Sequence, residues 1–519
     1  MYADNLIKKI KEVIKPSTIY LFILGLLVYS PFMVSQLNNA DDNTFGYLYH
    51  GAGYGTEDNL GRFFIKFFDI WRNRIVSPVL IIALCIVFLC VTAQLVNEIL
   101  DIKSIVIQFF VGAFILFSPS VADLFTYYYT ADSYCFAYML MAFSMYILLK
   151  SDFKLKWLWS GLLIVASLGI YQAYIGFAIF LISVYFLKKA LDNSGSRELI
   201  FDYLCVAGSM VVYYIIFKLL AIVGYLHPLE DRGMGGMFET IFSLLPQKIV
   251  EMYRAVYEYY FTDVIISNAW FGRKYLNGLT IILIVVLLIY SIYSKKIHKN
   301  ISQILMVIFT VFAAISSMTM IVVLGPDTSI YAETGILMLP LMNGIYIILM
   351  MLGDINVGSK KSREIMILVS EGCALLLTII MIVFIQVFAR YIDQQQKQLT
   401  SLATRVAGRI EELPEYEEGQ KVLAVGRPHR GNYSLPDEQY ESITKGMISH
   451  YSMIFGADDQ ISSGWVKAFK YYVGIEYSEC DAEERDALLN SEEVKNMGIY
   501  PAEDSVKRIG DVTVVKFSE

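Results

Sequence analysis

Residues 36–74 of the chain are QLNNADDNTFGYLYHGAGYGTEDNLGRFFIKFFDIWRNR, and a long apolar run stands on each side of them. The run before them is TIYLFILGLLVYSPFMV, residues 18–34, and the run after them is IVSPVLIIALCIVFLCVTAQLV, residues 75–96. Each run has the length and apolar character of a membrane-spanning helix, which needs about 20 residues. The two runs therefore predict that residues 36–74 form a loop at one membrane surface.

The composition of the whole chain agrees with this interpretation. Its 519 residues are 56% hydrophobic, and the mean hydropathy is +0.52. Further apolar runs recur as far as residue 388, so we predict an α-helical polytopic membrane protein with about 11 transmembrane helices. Five of the six cysteines lie in apolar segments, and the sequence shows neither a disulfide framework nor a zinc-binding spacing.

Basic residues predict the orientation of the spans. Four lysines precede the first apolar run, at positions 8, 9, 11 and 15. Cytoplasmic segments carry an excess of lysine and arginine, so the N-terminus is predicted to be cytoplasmic, as a retained signal-anchor. The long loops 37–74 and 224–277 then face outward. The short loops 118–131 and 325–334, predicted to lie on the same side, contain no lysine or arginine.

Residues 157–187 form an apolar run that is too long for one span and short for two. We predict two short membrane segments that turn at Tyr171 and Gln172 on the outer side. One long tilted helix with a buried glutamine is the alternative. Two segments return the chain to the cytoplasm, where the lysines of residues 188–198 are expected, so the orientation favours them.

The chain changes character near residue 391, where it becomes polar and charged. Residues 391–413 have the apolar spacing of an amphipathic helix, and residues 421–428 and 511–519 resemble strands. We therefore predict a membrane domain over residues 1–390 and a small extracytoplasmic α/β domain over residues 391–519.

Two aromatic stretches predict contact with the membrane interface, where tyrosine and tryptophan are enriched. Residues 244–265 have the pattern of an amphipathic helix that lies in the plane of the interface. The run Tyr127, Tyr128 and Tyr129 is typical of an aromatic belt.

The acidic residues of the predicted outer loops all fall on one membrane face. They include Asp41, Asp42, Glu57, Asp58, Asp123, Asp132, Glu230, Asp231, Asp327 and Glu333. Arg62, Arg72 and Arg74 follow the first four, interleaved with aromatic residues. Arginines bind phosphate groups, and these arginines and acidic pairs lie beside a membrane. The pattern therefore favours a phosphate-bearing lipid as the substrate. A solvated loop, with Asp41 and Asp42 capping the next segment and Arg72 and Arg74 extending toward the interface, is the structural alternative.

Sugar transfer from a polyprenyl-phosphate donor is one reaction that suits these groups. It needs a carboxylate to accept the proton of the acceptor hydroxyl, and cations to hold the leaving phosphate. Adjacent carboxylates raise each other's proton affinity, which suits Asp41 or Asp42 to act as a base. The same pair could instead hold a divalent cation, for which oxygen ligands favour Mg²⁺ or Mn²⁺.

Three short motifs resemble the bacterial membrane glucosyltransferase II family, which includes serotype-converting glucosyltransferases and is similar in plan to the GT-C class. They are NADD at residues 39–42, GRFF at residues 61–64 and YQAY at residues 171–174. The resemblance implies that Asp41 and Asp42 are the acidic pair of the first outer loop. It also implies that Arg62 is the family's GR arginine, and that Tyr171 and Gln172 form its YQ turn.

This chain departs from the family in two respects. A glycine- and tyrosine-rich insert separates the acidic pair from GR, and the arginine expected shortly after the pair is absent. The candidates for the phosphate-binding arginine are Arg62, Arg72, Arg74 and Arg232. The candidate substrate-binding residues are Glu57, Asp58, Tyr171, Gln172, Glu230 and Asp231.

We therefore predict an inverting glycosyltransferase of the bacterial plasma membrane that moves a hexose, expected to be glucose, from undecaprenyl-phosphate to a cell-surface polysaccharide or teichoic-acid-like acceptor. A separate flippase would supply the donor, and no nucleic acid is expected as a partner. The alternatives are a transporter or lipid-linked sugar flippase, which usually carries charges within its spans, and a glycan polymerase or ligase.

Overall fold

The computed structural model describes residues 14–39, 59–72, 75–194, 198–228, 237–263, 272–320, 343–355, 360–428 and 458–518. The first helices are α1 (Pro16–Val28), α2 (Ser30–Val34), α3 (Lys66–Arg72), α4 (Pro78–Ile99), α5 (Ile105–Leu116), α6 (Pro119–Leu124), α7 (Ala131–Lys150), α8 (Lys156–Leu168) and α9 (Ile175–Leu191). The next helices are α10 (Leu199–Ile222), α11 (Met237–Phe261), α12 (Arg273–Ser294), α13 (Ile301–Ser317), α14 (Gly344–Asp354) and α15 (Lys360–Glu411).

Six helices in the described ranges are long and apolar enough to cross a membrane. They are α4, α7, α9 with the turn before it, α10, α12 and residues 364–411 of α15. Five shorter apolar helices accompany them, namely α1, α5, α8, α13 and α14. These helices agree with a multi-pass membrane protein. The total of about 11 spans depends on the shorter helices and stays a prediction.

The apolar run 157–187 is broken where the sequence predicted. Helix α8 ends at Leu168, residues 172–174 form a short 3₁₀ turn, and α9 begins at Ile175. Tyr171, before the turn, has an extended backbone, which an α-helix cannot include. The single long helix is therefore wrong, and two segments are confirmed.

Helix α15 continues through the predicted domain boundary at residue 390. Its 52 residues join the last predicted span to the amphipathic segment without interruption. Residues 389–395 contain neither glycine nor proline, so nothing in the sequence stops the helix there. The first hydrophobic core includes Ile392, and the second begins at Leu399. The change from apolar to polar sequence near residue 391 therefore marks where α15 passes from the first hydrophobic core to the second, and not where the helix ends.

The C-terminal part of the chain forms a three-stranded sheet with helices beside it. The strands are β1 (Lys421–Val425), β2 (Val506–Ile509) and β3 (Val512–Lys516), and the further helices are α16 (Asp458–Ala468), α17 (Ala482–Asn490) and α18 (Glu492–Lys495). Strand β3 is central, parallel to β1 and antiparallel to β2. Trp465 stacks on Phe517 at 4.4 Å in its core. The two predicted strands are confirmed, whereas β2 was missed.

The predicted amphipathic helix of the second long loop is present as α11, which includes Pro246 in its interior. It packs against the helix α13 region. The Tyr253 hydroxyl donates to the Phe312 carbonyl at 3.1 Å, and Thr319 donates to the Met252 carbonyl at 2.8 Å. The tyrosine run behaves differently from the prediction, because Tyr128 is buried and donates to the Phe32 carbonyl at 2.6 Å. It is a core residue and does not form a belt.

Candidate functional site

Arg62 lies against a pair of stacked tyrosines. Its Nη1 donates to the Tyr134 hydroxyl at 2.7 Å. The guanidinium carbon is 5.1 Å from the ring centroid of Tyr171 and 5.7 Å from that of Tyr134. The two rings stack at 4.2 Å, with 18° between their planes. A guanidinium is attracted to aromatic faces, so this arrangement fixes the half-buried Arg62 side chain. The GR arginine and the YQ turn, which the sequence separates widely, are thus in contact.

Gln172 holds the backbone in front of Arg62. Its Nε2 donates to the Leu60 carbonyl at 2.8 Å and to the Tyr213 hydroxyl at 2.7 Å. The Tyr213 hydroxyl in turn donates to the Gly61 carbonyl at 3.0 Å. Gly61 has φ +91°, and a Cβ there would lie 2.5 Å from the Tyr213 oxygen. Only glycine fits this position, which explains the glycine of the GR motif.

The segment that leads to Asp41 and Asp42 is anchored as far as Asn39. The Leu37 amide donates to the Tyr128 hydroxyl at 2.9 Å, and the Asn39 amide donates to the Thr126 carbonyl at 3.2 Å. Helix α15 also contributes, since its Gln396 Nε2 donates to the carbonyl of residue 36 at 2.9 Å. The chain therefore arrives at the acidic pair from a fixed position beside the 118–131 loop.

Arg72 forms a buried ion pair with Asp132. Its Nε lies 3.1 Å from Asp132 Oδ2, and the two side chains are 2% and 0% exposed. Arg72 Nη2 also donates to the Tyr129 carbonyl at 2.7 Å, and the Ser133 amide donates to Asp132 Oδ1 at 2.9 Å. The expectation that Arg72 extends toward the interface is wrong, because its guanidinium joins the end of α3 to the start of α7.

The other candidates lie outside the residues that the structure describes. They are Asp41, Asp42, Glu57, Asp58, Arg74, Glu230, Asp231 and Arg232, and the metal site that Asp41 and Asp42 would form lies there too. Within the described ranges, no group of three or more His, Cys, Asp or Glu could hold a metal ion. The structure thus brings together Arg62, Tyr171 and Gln172, and pairs Arg72 with Asp132.

Sequence reasoning missed a second arginine in an aromatic setting. Arg273, at the start of α12, is 2% exposed, and its guanidinium lies 4.6 Å from the ring centroid of Tyr259. One helical turn further, Asn277 donates to the Tyr260 carbonyl at 2.8 Å and accepts from the Tyr346 hydroxyl at 2.6 Å. The sequence feature that could have indicated Arg273 is the basic, aromatic stretch WFGRKY, residues 270–275, directly before an apolar run.

Comparison with known proteins gives one match. The sequence profile of the family described as Glucosyl transferase GtrII matches residues 31–351, more than half of the chain. No curated protein and no solved structure matches the chain. The matched region runs from α2 into α14 and contains the Arg62, Tyr171 and Gln172 contacts. The chain therefore belongs to the glucosyl transferase GtrII family and is a membrane glycosyltransferase.

Proposed function

We propose that the enzyme transfers glucose from undecaprenyl-phosphate to a cell-surface glycan at the outer leaflet, with inversion at the anomeric carbon. Asp41 or Asp42 acts as the base, and Arg62 binds the donor phosphate. The observation that carries this proposal is the contact between the Arg62 segment and the turn at Tyr171 and Gln172. Two short motifs that suggested the same family are thereby brought to one place.

The setting of Arg62 supports a role in phosphate binding. The guanidinium carbon of Arg62 lies 5.1 Å from the ring centroid of Tyr171 and 5.7 Å from that of Tyr134, and its Nη1 donates to the Tyr134 hydroxyl. An arginine side chain has several N–H donors, so contact with the two tyrosines and binding of a phosphate are compatible. Because the two rings already hold the guanidinium in one orientation, its side chain loses less conformational entropy when the donor binds. A preorganised cation at this position would stabilise the charge that develops on the leaving phosphate.

The anchored chain at residues 36–39 supports the assignment of the base. Asp41 is two residues beyond Asn39, whose amide is bonded to the Thr126 carbonyl. An anchored backbone just before the acidic pair limits how far its carboxylates can move from an acceptor hydroxyl. In the reaction, the carboxylate accepts the hydroxyl proton, the hydroxyl oxygen attacks the anomeric carbon, and the sugar–phosphate bond breaks. The second carboxylate of the pair raises the proton affinity of the first, or both ligate Mg²⁺ or Mn²⁺.

The location of the reaction follows from the predicted topology. The N-terminus is assigned to the cytoplasm, and the loop of Asp41 and Asp42 and the C-terminal α/β domain to the outer side. On that side the enzyme would meet a donor that a flippase has moved across the bacterial plasma membrane, and the α/β domain would help to bind the polymer acceptor.

The test uses purified membranes and radiolabelled polyprenyl-phosphate glucose, with and without a chelator. Asp41→Asn and Asp42→Asn are made singly, with Asp152→Asn, at an exposed residue between α7 and α8, as the matched control. We expect transfer of label to polymer by the wild type and the control, and loss of at least about a hundredfold in the variant that removes the base. Full activity of both variants would contradict the assignment of the base.

Arg62 is tested in the same assay by replacement with lysine. Lysine keeps the charge but loses the planar group that stacks and binds two oxygens, so the KM for the donor should rise by about tenfold or more. An unchanged donor KM in Arg62→Lys would assign phosphate binding to another arginine.

A further inference from the structure

Helix α3 and the turn before it present an apolar face to the outside of the molecule. Phe64, Phe67, Ile70 and Trp71 recur three or four residues apart, as residues on one side of a helix do. All four side chains are exposed, Phe67 by 64% and Ile70 by 80%. These four residues are the outward face of α3. A helix in an aqueous loop carries polar residues on its exposed side, so this face is suited to an apolar partner.

The opposite side of α3 is packed against membrane helices. Phe68 is buried, and its ring centroid lies 5.3 Å from that of Phe136 on α7. The Phe136 ring lies in turn 5.4 Å from the ring of Phe88 on α4. At a rise of about 1.5 Å per residue, Phe88 is about 15 Å from the first residue of α4, near the middle of that span. Helix α3 therefore lies beside the spans, at the depth of the outer leaflet, and its outward face meets lipid.

The outward face begins next to Arg62, the proposed ligand of the donor phosphate. A hydrogen-bonded turn leads from Arg62 into α3, since the Ile65 amide donates to the Arg62 carbonyl at 3.1 Å. The Phe64 amide donates to the Gly169 carbonyl at 2.8 Å. Gly169 is two residues before Tyr171, whose ring contacts the Arg62 guanidinium. Arg62 and Phe64 are thus fixed at the same break between α8 and α9.

A second cation lies at this end of α3. Lys66 donates to the Tyr225 hydroxyl at 3.3 Å, and its Nζ is 4.8 Å from the centroid of that ring. Beyond Lys66 the outward face is entirely apolar. Cations at one end and apolar side chains along the rest match a lipid whose phosphate is joined to a single long hydrocarbon chain.

The short distance along the chain from cation to apolar face favours a polyprenyl phosphate over a phospholipid. Phe64 follows Arg62 by two residues, and only Phe63 stands between them. In a polyprenyl phosphate the first isoprene unit is bonded directly to the phosphate. In a phospholipid, glycerol and ester groups separate the phosphate from the acyl chains, and they would need polar partners at this point.

We propose that the outward face of α3 binds the isoprenoid chain of the donor while Arg62 binds its phosphate. The inference rests on the proposed function, which assigns that phosphate to Arg62. The donor then reaches the site sideways from the outer leaflet, across α3, and its chain stays in an apolar environment throughout.

Van der Waals packing gives this site its preference. A lipid chain is surrounded by apolar groups both in the bilayer and on α3, so the hydrophobic effect contributes little to the exchange. An isoprenoid chain is branched and has regularly spaced double bonds, which make it stiffer than an acyl chain. It therefore loses less conformational entropy when it lies against the rings of Phe64, Phe67 and Trp71. We expect a preference of several-fold.

The test uses the purified full-length protein in phosphatidylglycerol vesicles. The probe is a sugar-free polyprenyl phosphate that carries a diazirine in the isoprene units nearest its phosphate, and peptide mass spectrometry locates the label after irradiation. We expect label on residues 64–71 that an excess of undecaprenyl phosphate removes and an excess of phosphatidylglycerol does not. Label that undecaprenyl phosphate does not displace, or equal labelling of all exposed helices, would show that ordinary lipid covers this face and overturns the proposal.

The absence of a sugar on the probe separates this inference from the proposed function. Displaceable labelling of α3 without any transfer of glucose would reject the proposed function and leave the chain-binding face standing. Transfer of glucose without labelling of α3 would overturn this inference alone.

A double variant, Phe67→Ala with Ile70→Ala, locates the effect. Both side chains are exposed, so the buried contacts of α3 remain and the variant should fold. We expect displaceable labelling to fall several-fold and the donor KM to rise several-fold, with kcat nearly unchanged. The matched control is Phe312→Ala, at a phenylalanine of α13 that is 57% exposed, which should be labelled as the wild type is. Unchanged labelling in the double variant overturns the assignment to α3.

Discussion

The Gln172 Nε2 atom donates to the carbonyl oxygen of Leu60 at 2.8 Å, although 112 residues separate the two along the chain. The same atom donates to the Tyr213 hydroxyl, which donates to the carbonyl of Gly61. One side chain at the break between α8 and α9 therefore positions the backbone that carries Arg62. Even a partly buried glutamine in an apolar run is costly unless it is bonded, and the bonds of Gln172 connect two family motifs.

Replacing Gln172 with leucine should impair the enzyme without unfolding it. The variant loses both hydrogen bonds, so the Leu60 and Gly61 backbone and the Arg62 side chain become less well positioned for the donor. We expect the donor KM to rise by about tenfold, as for the loss of one to two buried hydrogen bonds. Steady-state kinetics with labelled donor measure it, and Gln247→Leu, on the exposed part of α11, is the control. A donor KM equal to that of the wild type would mean that Gln172 does not position Arg62.

The buried pair of Arg72 and Asp132 should be structural. Removal of one partner leaves an unpaired buried charge, so Arg72→Met alone should lower the free energy of unfolding by about 3–5 kcal/mol. The double variant Arg72→Met with Asp132→Leu should recover much of that loss, because neither charge remains. Thermal unfolding in detergent measures the coupling energy between Arg72 and Asp132. It compares the wild type, the two single variants and the double variant.

The double variant also tests whether Arg72 binds donor phosphate. If it folds and keeps the wild-type donor KM, Arg72 acts through its ion pair alone. A stable double variant with a donor KM raised as much as in Arg62→Lys would instead place Arg72 at the phosphate.

Most membrane helices and the break at Tyr171 were predictable from the sequence, whereas the continuity of α15 and strand β2 were not. Apolar runs and charged turns gave the helices and the break at Tyr171, because length and the distribution of lysines constrain them. The continuity of α15 was missed because the change from apolar to polar residues near residue 391 was interpreted as the end of a helix. The change marks instead the point where the helix leaves one hydrophobic core and enters the other. Strand β2 was missed because VKRI is short and pairs with β3 only after a tight turn.

The site was predictable only in part, because its contacts join residues that are far apart in the sequence. The resemblance selected Arg62, Tyr171 and Gln172, but no pattern in the sequence shows that they touch. Arg72 was a candidate for phosphate binding, and its position beside a span suggested the membrane interface as the alternative. Its partner Asp132 lies 60 residues away and was classed among the acids of the outer face. Arg273 was missed because one arginine next to aromatic residues is common at span ends.

The thiol of Cys480 should react slowly with alkylating agents at neutral pH. Burial, with a smaller effect from the nearby Glu484 carboxylate, raises the pKa of Cys480 to about 11. A raised pKa keeps the thiol neutral below that value, so at pH 8 only about one thiol in a thousand is the reactive thiolate. The rate of iodoacetamide labelling should therefore rise steadily up to about pH 11, as mass spectrometry of the C-terminal peptide would show. A rate that levels off near pH 8.5 would contradict the burial of this group.

Gln396 connects the second core to the segment that precedes the acidic pair, because its Nε2 donates to the carbonyl of Gln36 at 2.9 Å. Gln396→Leu removes this bond and loosens the backbone that leads to Asp41. If that backbone holds the base, kcat should fall by about tenfold while the donor KM stays nearly constant, since Arg62 is positioned by other contacts. Gln398→Leu is the matched control, because two residues along a helix turn a side chain to the other face. A fall in kcat that both variants share would show that α15 acts on the site as a whole, whereas a fall in Gln396→Leu alone would assign the effect to the hydrogen bonds of Gln396, which join Gln36 and Tyr472.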